Sequence, residues 1–147
     1  MSSAIHKSAL DYHNEDYNCA ESIFLAFREQ AAPELGADMV RMATPFGAGL
    51  GNAGCLCGAL AGSVMILGLF KGRTTPDVPR KEPYALSSEF HNRFKEKFGA
   101  TCCRVLKRAA SGPDMRGATC EEIISGTDEL LSEFLAEKRL VKPVSGS

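Results

Sequence analysis

Charge of one sign is not in excess here. Seventeen Lys and Arg stand against 18 Asp and Glu, a net charge of −1 at neutral pH. The basic face that nucleic-acid binding requires is therefore missing, and no nucleic-acid partner is expected. No apolar signal core follows the start MSSAIHKSAL, so the cytoplasm is the expected compartment. Strand-like alternation of apolar and polar residues is never sustained, which excludes a sheet and leaves an all-α fold. No internal repeat or low-complexity segment occurs. Close Cys-x-x-Cys pairs and a Cys-x-x-Cys-His haem attachment sequence are lacking too. The three histidines, His6, His13 and His91, are scattered among polar neighbours and are read as solvated.

What is present is sulfur and glycine. Six cysteines occur in 147 residues. In a reducing compartment, cysteine in that number points to catalysis or metal binding before structural disulfides. Residues 46–70, FGAGLGNAGCLCGALAGSVMILGLF, hold no charge, and seven of the 25 are glycine. Glycine weakens a helix interior, so such density needs a reason. Gly54, Gly58 and Gly62 fall four apart on one helical face, where a second backbone could come very close. The run is long enough for a membrane span. Its first part reads as a glycine loop, however, and the remaining ~17 residues sit at the short limit. A central helix buried on all sides is expected instead. The small-residue face could pack within the chain or between two copies, so a homodimer stays open.

The rest of the chain is helix punctuated by caps. A short helix is expected from Ser3 to about Tyr12, then a polar hinge over residues 13–16. Asn18 with Glu21 approximates a capping box for a helix that begins at Cys19 and ends at Pro33. A short helix follows, from about Leu35 to Ala43. Residues 71–83 carry three prolines among charges and read as a surface loop. Leu86, Phe90, Phe94 and Phe98 recur every four residues in a helix from Tyr84 that Gly99 ends. Thr101 can cap a helix starting Cys102-Cys103, and Gly112-Pro113 breaks the chain. Thr119 with Glu122 makes a second capping box, and Ser125-Gly126 is expected to kink or split the helix it opens. The expected architecture is one domain, residues 1–147, a bundle of about six or seven helices with a frayed tail from Lys142.

Cysteines recur at helix beginnings: Cys19, Cys102, Cys103 and Cys120 in first turns, Cys55 and Cys57 near the start of the central helix. Unpaired N–H groups and the positive end of the helix dipole stabilise a thiolate there, and the thiolate is both nucleophile and metal ligand. Gly49-Leu50-Gly51-Asn52-Ala53-Gly54 fits Gly-x-Gly-x-x-Gly, but that fingerprint needs a preceding strand and a later acidic residue. Residues 39–45 make a poor strand, so no nucleotide is expected. Arg104 could hold a thiolate or an anionic substrate, though an exposed helix residue is its plainer reading.

Cys57-Gly58-Ala59-Leu60-Ala61-Gly62, preceded by Phe46-Gly47-Ala48-Gly49 and followed by residues 64–69, resembles the C_GCAxxG_C_C family of redox-active proteins. Asn18-Cys19-Ala20 is similar to the family's first cysteine segment, Cys103-Arg104-Val105-Leu106 to its third, and Cys120 to its fourth. Cys55 and Cys102 lie outside the four, and either of the adjacent pair Cys102 and Cys103 could carry the third role. The resemblance implies a redox role. Two chemistries follow for Cys19, Cys57, Cys103 and Cys120. One is thiol–disulfide cycling, with Cys57 as attacking thiolate, the other three as resolving partners, and Cys55-Leu56-Cys57 as an alternative local pair. The other is a four-thiolate site for an iron–sulfur cluster or zinc. Gly58 and Gly62 are the residues expected to line a cofactor, and the electron donor or acceptor is unidentified. A third reading is a helical binding module with inert cysteines.

Overall fold

The computed structural model describes residues 7–108 and 119–141. Its elements are α1 (Ala9–His13), α2 (Cys19–Ala31), 3₁₀ turns at Ala37–Met42 and Thr44–Phe46, α3 (Gly47–Leu50), α4 (Gly58–Lys71), α5 (Lys81–Phe98), α6 (Cys103–Arg108) and α7 (Cys120–Glu137). No strand occurs among the described residues, and the fold is the all-α bundle that the sequence implies. The Gly112-Pro113 break, the tail from Lys142 and the first residues of the expected amino-terminal helix lie outside the described residues.

Helices α2 and α4 form the axis. The Asn18 side chain accepts from the Glu21 N–H while the Glu21 carboxylate accepts from the Asn18 N–H, a reciprocal cap that fixes where α2 begins. Asn18 also donates to the Thr44 carbonyl at 3.1 Å, and Thr44 donates to Glu21 at 2.6 Å, tying the 3₁₀ turn to the same spot. Helix α2 then buries Ala20, Ile23, Phe24, Ala26 and Phe27. On α4, residues 58–63 are all buried, whereas Gly68 and Lys71 face solvent. The central helix is thus enclosed on all sides only in its first half.

The close approach expected of the glycines is real at two of the three. A Cβ on Gly62 would lie 2.9 Å from the Ala20 carbonyl oxygen and 3.2 Å from the Ile23 Cβ, and one on Gly58 would overlap the Cys19 sulfur. Gly54 belongs to the preceding loop, with φ 89°, because α4 starts four residues later than the periodicity suggests. In front of Gly58 and Gly62, the residues expected to line a cofactor, the space is filled by α2.

Helices α5 and α7 close the other side. Phe90 and Phe134 meet edge to face with ring centroids 5.3 Å apart. Arg93 bridges to Glu89 and Glu137, and Lys138 reaches Glu89 at 2.7 Å. Helix α5 begins at Lys81, not Tyr84, taking Pro83 into its first turn, where a missing N–H breaks no helical bond. Gly99 ends it in the left-handed region, as expected, with φ 90°. Helix α7 runs unbroken through Ser125-Gly126. Gly126 is there for clearance, since a Cβ would lie 2.8 Å from the Phe98 ring. Helix α1 is five residues long, too short to be stable alone. The Asp128 carboxylate of α7 accepts from the Ala9 N–H at 2.8 Å and holds its start.

The glycine contrast on α4 predicts opposite signs for one substitution. Gly68→Ala meets nothing within 4 Å and should stabilise by up to ~1 kcal/mol through helix propensity. Gly62→Ala gains the same propensity but forces α2 away, and should destabilise by about 1–3 kcal/mol. Urea unfolding of the two variants against wild type checks both.

Candidate functional site

Cys19, Cys57, Cys103 and Cys120 line one small cavity of about 130 Å³, together with His13, Asn18, Ala48 and Ile123. Four elements carry these sulfurs. Cys19 and Cys120 are the first residues of α2 and α7, each behind a capping box. Cys103 is the first residue of α6, and Cys57 is the cap of α4. The six cysteines are thiols in the structure.

Backbone geometry sorts the neighbouring cysteines. The Cys57 N–H donates to the Thr101 carbonyl at 2.7 Å and the Arg104 N–H donates to the Gly54 carbonyl at 3.1 Å. These two bonds clamp residues 54–57 and 101–104 side by side in opposite directions. Gly49 and Gly54 make room for the clamp: a Cβ would lie 2.8 Å from the Cys103 Cβ at the first and 3.1 Å from the Arg104 Cβ at the second. Leu56 has φ 58°, a left-handed conformation costly for a branched side chain. Cys57 beyond it is 3% exposed, whereas Cys55 before it is fully at the surface. Cys55 and Cys57 therefore stand on opposite sides of Leu56 as separate thiols. Cys103 lines the cavity and Cys102 does not. Cys102 instead meets Cys55 and the Leu56 N–H on the outer side, where the Arg104 Nη2 stands 3.8 Å from the Cys55 sulfur. Arg104 is exposed, as its plainer reading has it, and touches a sulfur all the same.

The two environments push sulfur in opposite directions. Burial raises the Cys57 thiol to about 11, opposed by the Leu60 and Ala59 N–H groups and reinforced by the nearby Cys19 and Cys103. Desolvation outweighs the N–H groups, so the Cys57 thiol lacks the lowered pKa that its place at a helix start suggests. Cys102 is lowered, first by the Leu56 N–H, then by the Cys55 thiol, and further by the Arg104 charge.

His13 is the residue that sequence reasoning missed. It closes α1, and its ring is only part exposed and lines the cysteine cavity. Its Nδ1 lies 3.0 Å from the Tyr17 carbonyl, which can only accept, so Nδ1 carries the proton. Nε2, 3.6 Å from the Glu121 carboxylate, keeps a lone pair in the neutral ring. Cap spacing locates Cys19, but nothing in the sequence shows the turn over residues 14–17 that brings the imidazole back to it.

Among the described residues, no three His, Cys, Asp or Glu side chains are grouped so as to hold an ion. A 3₁₀ turn, not a strand, precedes Gly49. A larger concavity of about 780 Å³ runs between α4 and α5, lined by Leu56, Leu60, Val64, Met65, Tyr84 and His91 among others. It contains no cysteine. No helix among the described residues is long and apolar enough to cross a membrane.

An all-α chain here brings sulfur from four helix starts to one cavity. The chain belongs to the family described as "Putative redox-active protein (C_GCAxxG_C_C)", which matches residues 17–134. It is also 28% identical over 142 residues to an uncharacterized protein of Archaeoglobus fulgidus, covering 90% of this chain and 94% of that one. No solved structure matches it.

The raised Cys57 thiol makes stability pH-dependent. The native state keeps a proton that the unfolded chain loses, so stability present below about pH 9 is lost as pH rises towards about 11. Wild type should lose on the order of 2–3 kcal/mol more over that window than Cys57→Ser, which has no thiol to ionise. Denaturant titrations of both proteins at pH 8.5 and 11 measure the difference.

Proposed function

We propose that the chain is a thiol-dependent redox protein whose working pair is Cys19 and Cys57. The observation that supports this reading is the convergence of four cysteines from separate helices on one cavity. Among them, the Cys19 sulfur occupies the place that a side chain on Gly58, the residue after Cys57, would take. Cys19 is half-buried at the first residue of a 13-residue helix, and its sulfur is reachable from the cavity. It attacks first. Cys57, buried and hard to ionise, is the resolving thiol and needs a base to take its proton. The Nε2 lone pair of His13 is suited to that role.

In the oxidative direction the Cys19 thiolate takes an oxygen from a hydroperoxide, giving a sulfenic acid and releasing the alcohol or water. The Cys57 sulfur then displaces hydroxide from Cys19 as His13 accepts the Cys57 proton. Water leaves and a Cys19–Cys57 disulfide remains. The cavity is small, about 130 Å³, which suits a small hydroperoxide as the direct oxidant. Cys103 and Cys120 stand beside the pair as further exchange partners.

One equivalent of hydrogen peroxide should remove two thiols per chain, and peptide mapping should find Cys19 joined to Cys57. His13→Gln should slow closure of the bond about 10²-fold at pH 7. Cysteines that react only slowly, and only in denaturant, would mark an inert helical module. Iron with visible absorption in anaerobically purified protein would replace the thiol reading with a cluster.

A further inference from the structure

The geometry points to a second redox couple on the outside of the clamp: Cys55 and Cys102, held beside Arg104, form a surface dithiol that exchanges with disulfide substrates too large for the inner cavity. Neither residue belongs to the four that line that cavity. Two backbone hydrogen bonds, Cys57 to Thr101 and Arg104 to Gly54, bracket both residues and fix their segments against each other. The left-handed turn at Leu56 sends Cys55 outward as Cys57 goes in. The same turn aims the Leu56 N–H at Cys102. A strained leucine that serves two sulfurs at once is hard to account for by packing, since its own side chain is exposed.

Arg104 adds a positive charge beside the pair. Its Nη2 stands 3.8 Å from the Cys55 sulfur. A guanidinium there repels a metal cation. Cys102 receives an N–H, a thiol and that positive charge, the surroundings of a nucleophilic cysteine. The Cys102 thiolate attacks one sulfur of the substrate, forming a mixed disulfide and releasing the first substrate thiolate. Cys55 then attacks the Cys102 sulfur, the second substrate thiolate leaves, and the Cys55 proton passes to it. The chain is oxidised by two electrons to a Cys55–Cys102 disulfide, and the substrate is reduced to two thiols.

The couple does not require the inner pair, and the test separates them. Full-length reduced protein is equilibrated in glutathione buffers of rising glutathione disulfide content, acid-quenched, alkylated and mapped, with fragmentation between Cys55 and Cys57 to assign each bond. A Cys55–Cys102 bond is expected, lost in Cys55→Ser and retained in Cys19→Ser. Iodoacetamide at pH 7 should modify Cys102 before the cavity cysteines, and Arg104→Gln should slow that modification several-fold. Persistence of both outer thiols in fully oxidised buffer overturns the inference, as does a glutathione adduct on Cys102 that Cys55 never displaces. A Cys19–Cys57 bond without the outer one sinks only the outer couple, and the reverse result sinks only the inner one.

Discussion

Two helix backbones in direct contact are the constraint on which this structure depends. At Gly58 and Gly62, α4 offers α2 no side chain, and the Ala20 carbonyl and the Cys19 sulfur move into the vacated space. The gain is dispersion and burial over tightly fitted surfaces. The consequence for chemistry is positional. A sulfur at the first residue of α2 is delivered beside the cap of α4 by the same packing that builds the core. Glycine here is a distance-setting device, and the thiol cavity is a by-product of how closely two helices lie.

Around that contact, the clamp between residues 54–57 and 101–104 separates sulfurs that are neighbours in the chain. Cys57 and Cys103 face the cavity, while Cys55 and Cys102 stay outside. Desolvation then holds one thiol protonated, and N–H groups with a guanidinium help the other lose its proton. Sequence proximity is a poor guide to thiol partnership here. The closest pairs in the chain are divided between inside and outside, and each cysteine finds company from a distant helix.

Much of this was legible beforehand because caps and four-residue periodicities are local. Asn18 with Glu21 and Thr119 with Glu122 place α2 and α7, and with them Cys19 and Cys120, at their first residues. The row Leu86, Phe90, Phe94 is the buried stripe of α5. What stayed hidden depends on tertiary geometry. The positive φ of Leu56 has no signature in a leucine. The choice between Cys102 and Cys103 is made by hydrogen bonds to a loop about 50 positions away. Gly126 looks like a helix breaker until the Phe98 ring beside it is seen, and burial turns Cys57 against the acidity that a helix start promises.

Helix α1 is fastened at both ends to α7. Asp128 grips its first N–H, and Glu121 stands opposite the imidazole at its last residue. Five residues cannot sustain a helix unaided, so His13 owes its station in part to the docking of α7. The imidazole is in effect on loan from the carboxy-terminal helix. Whatever loosens that helix shifts the imidazole that lines the thiol cavity and opens that shelter to water in the same motion.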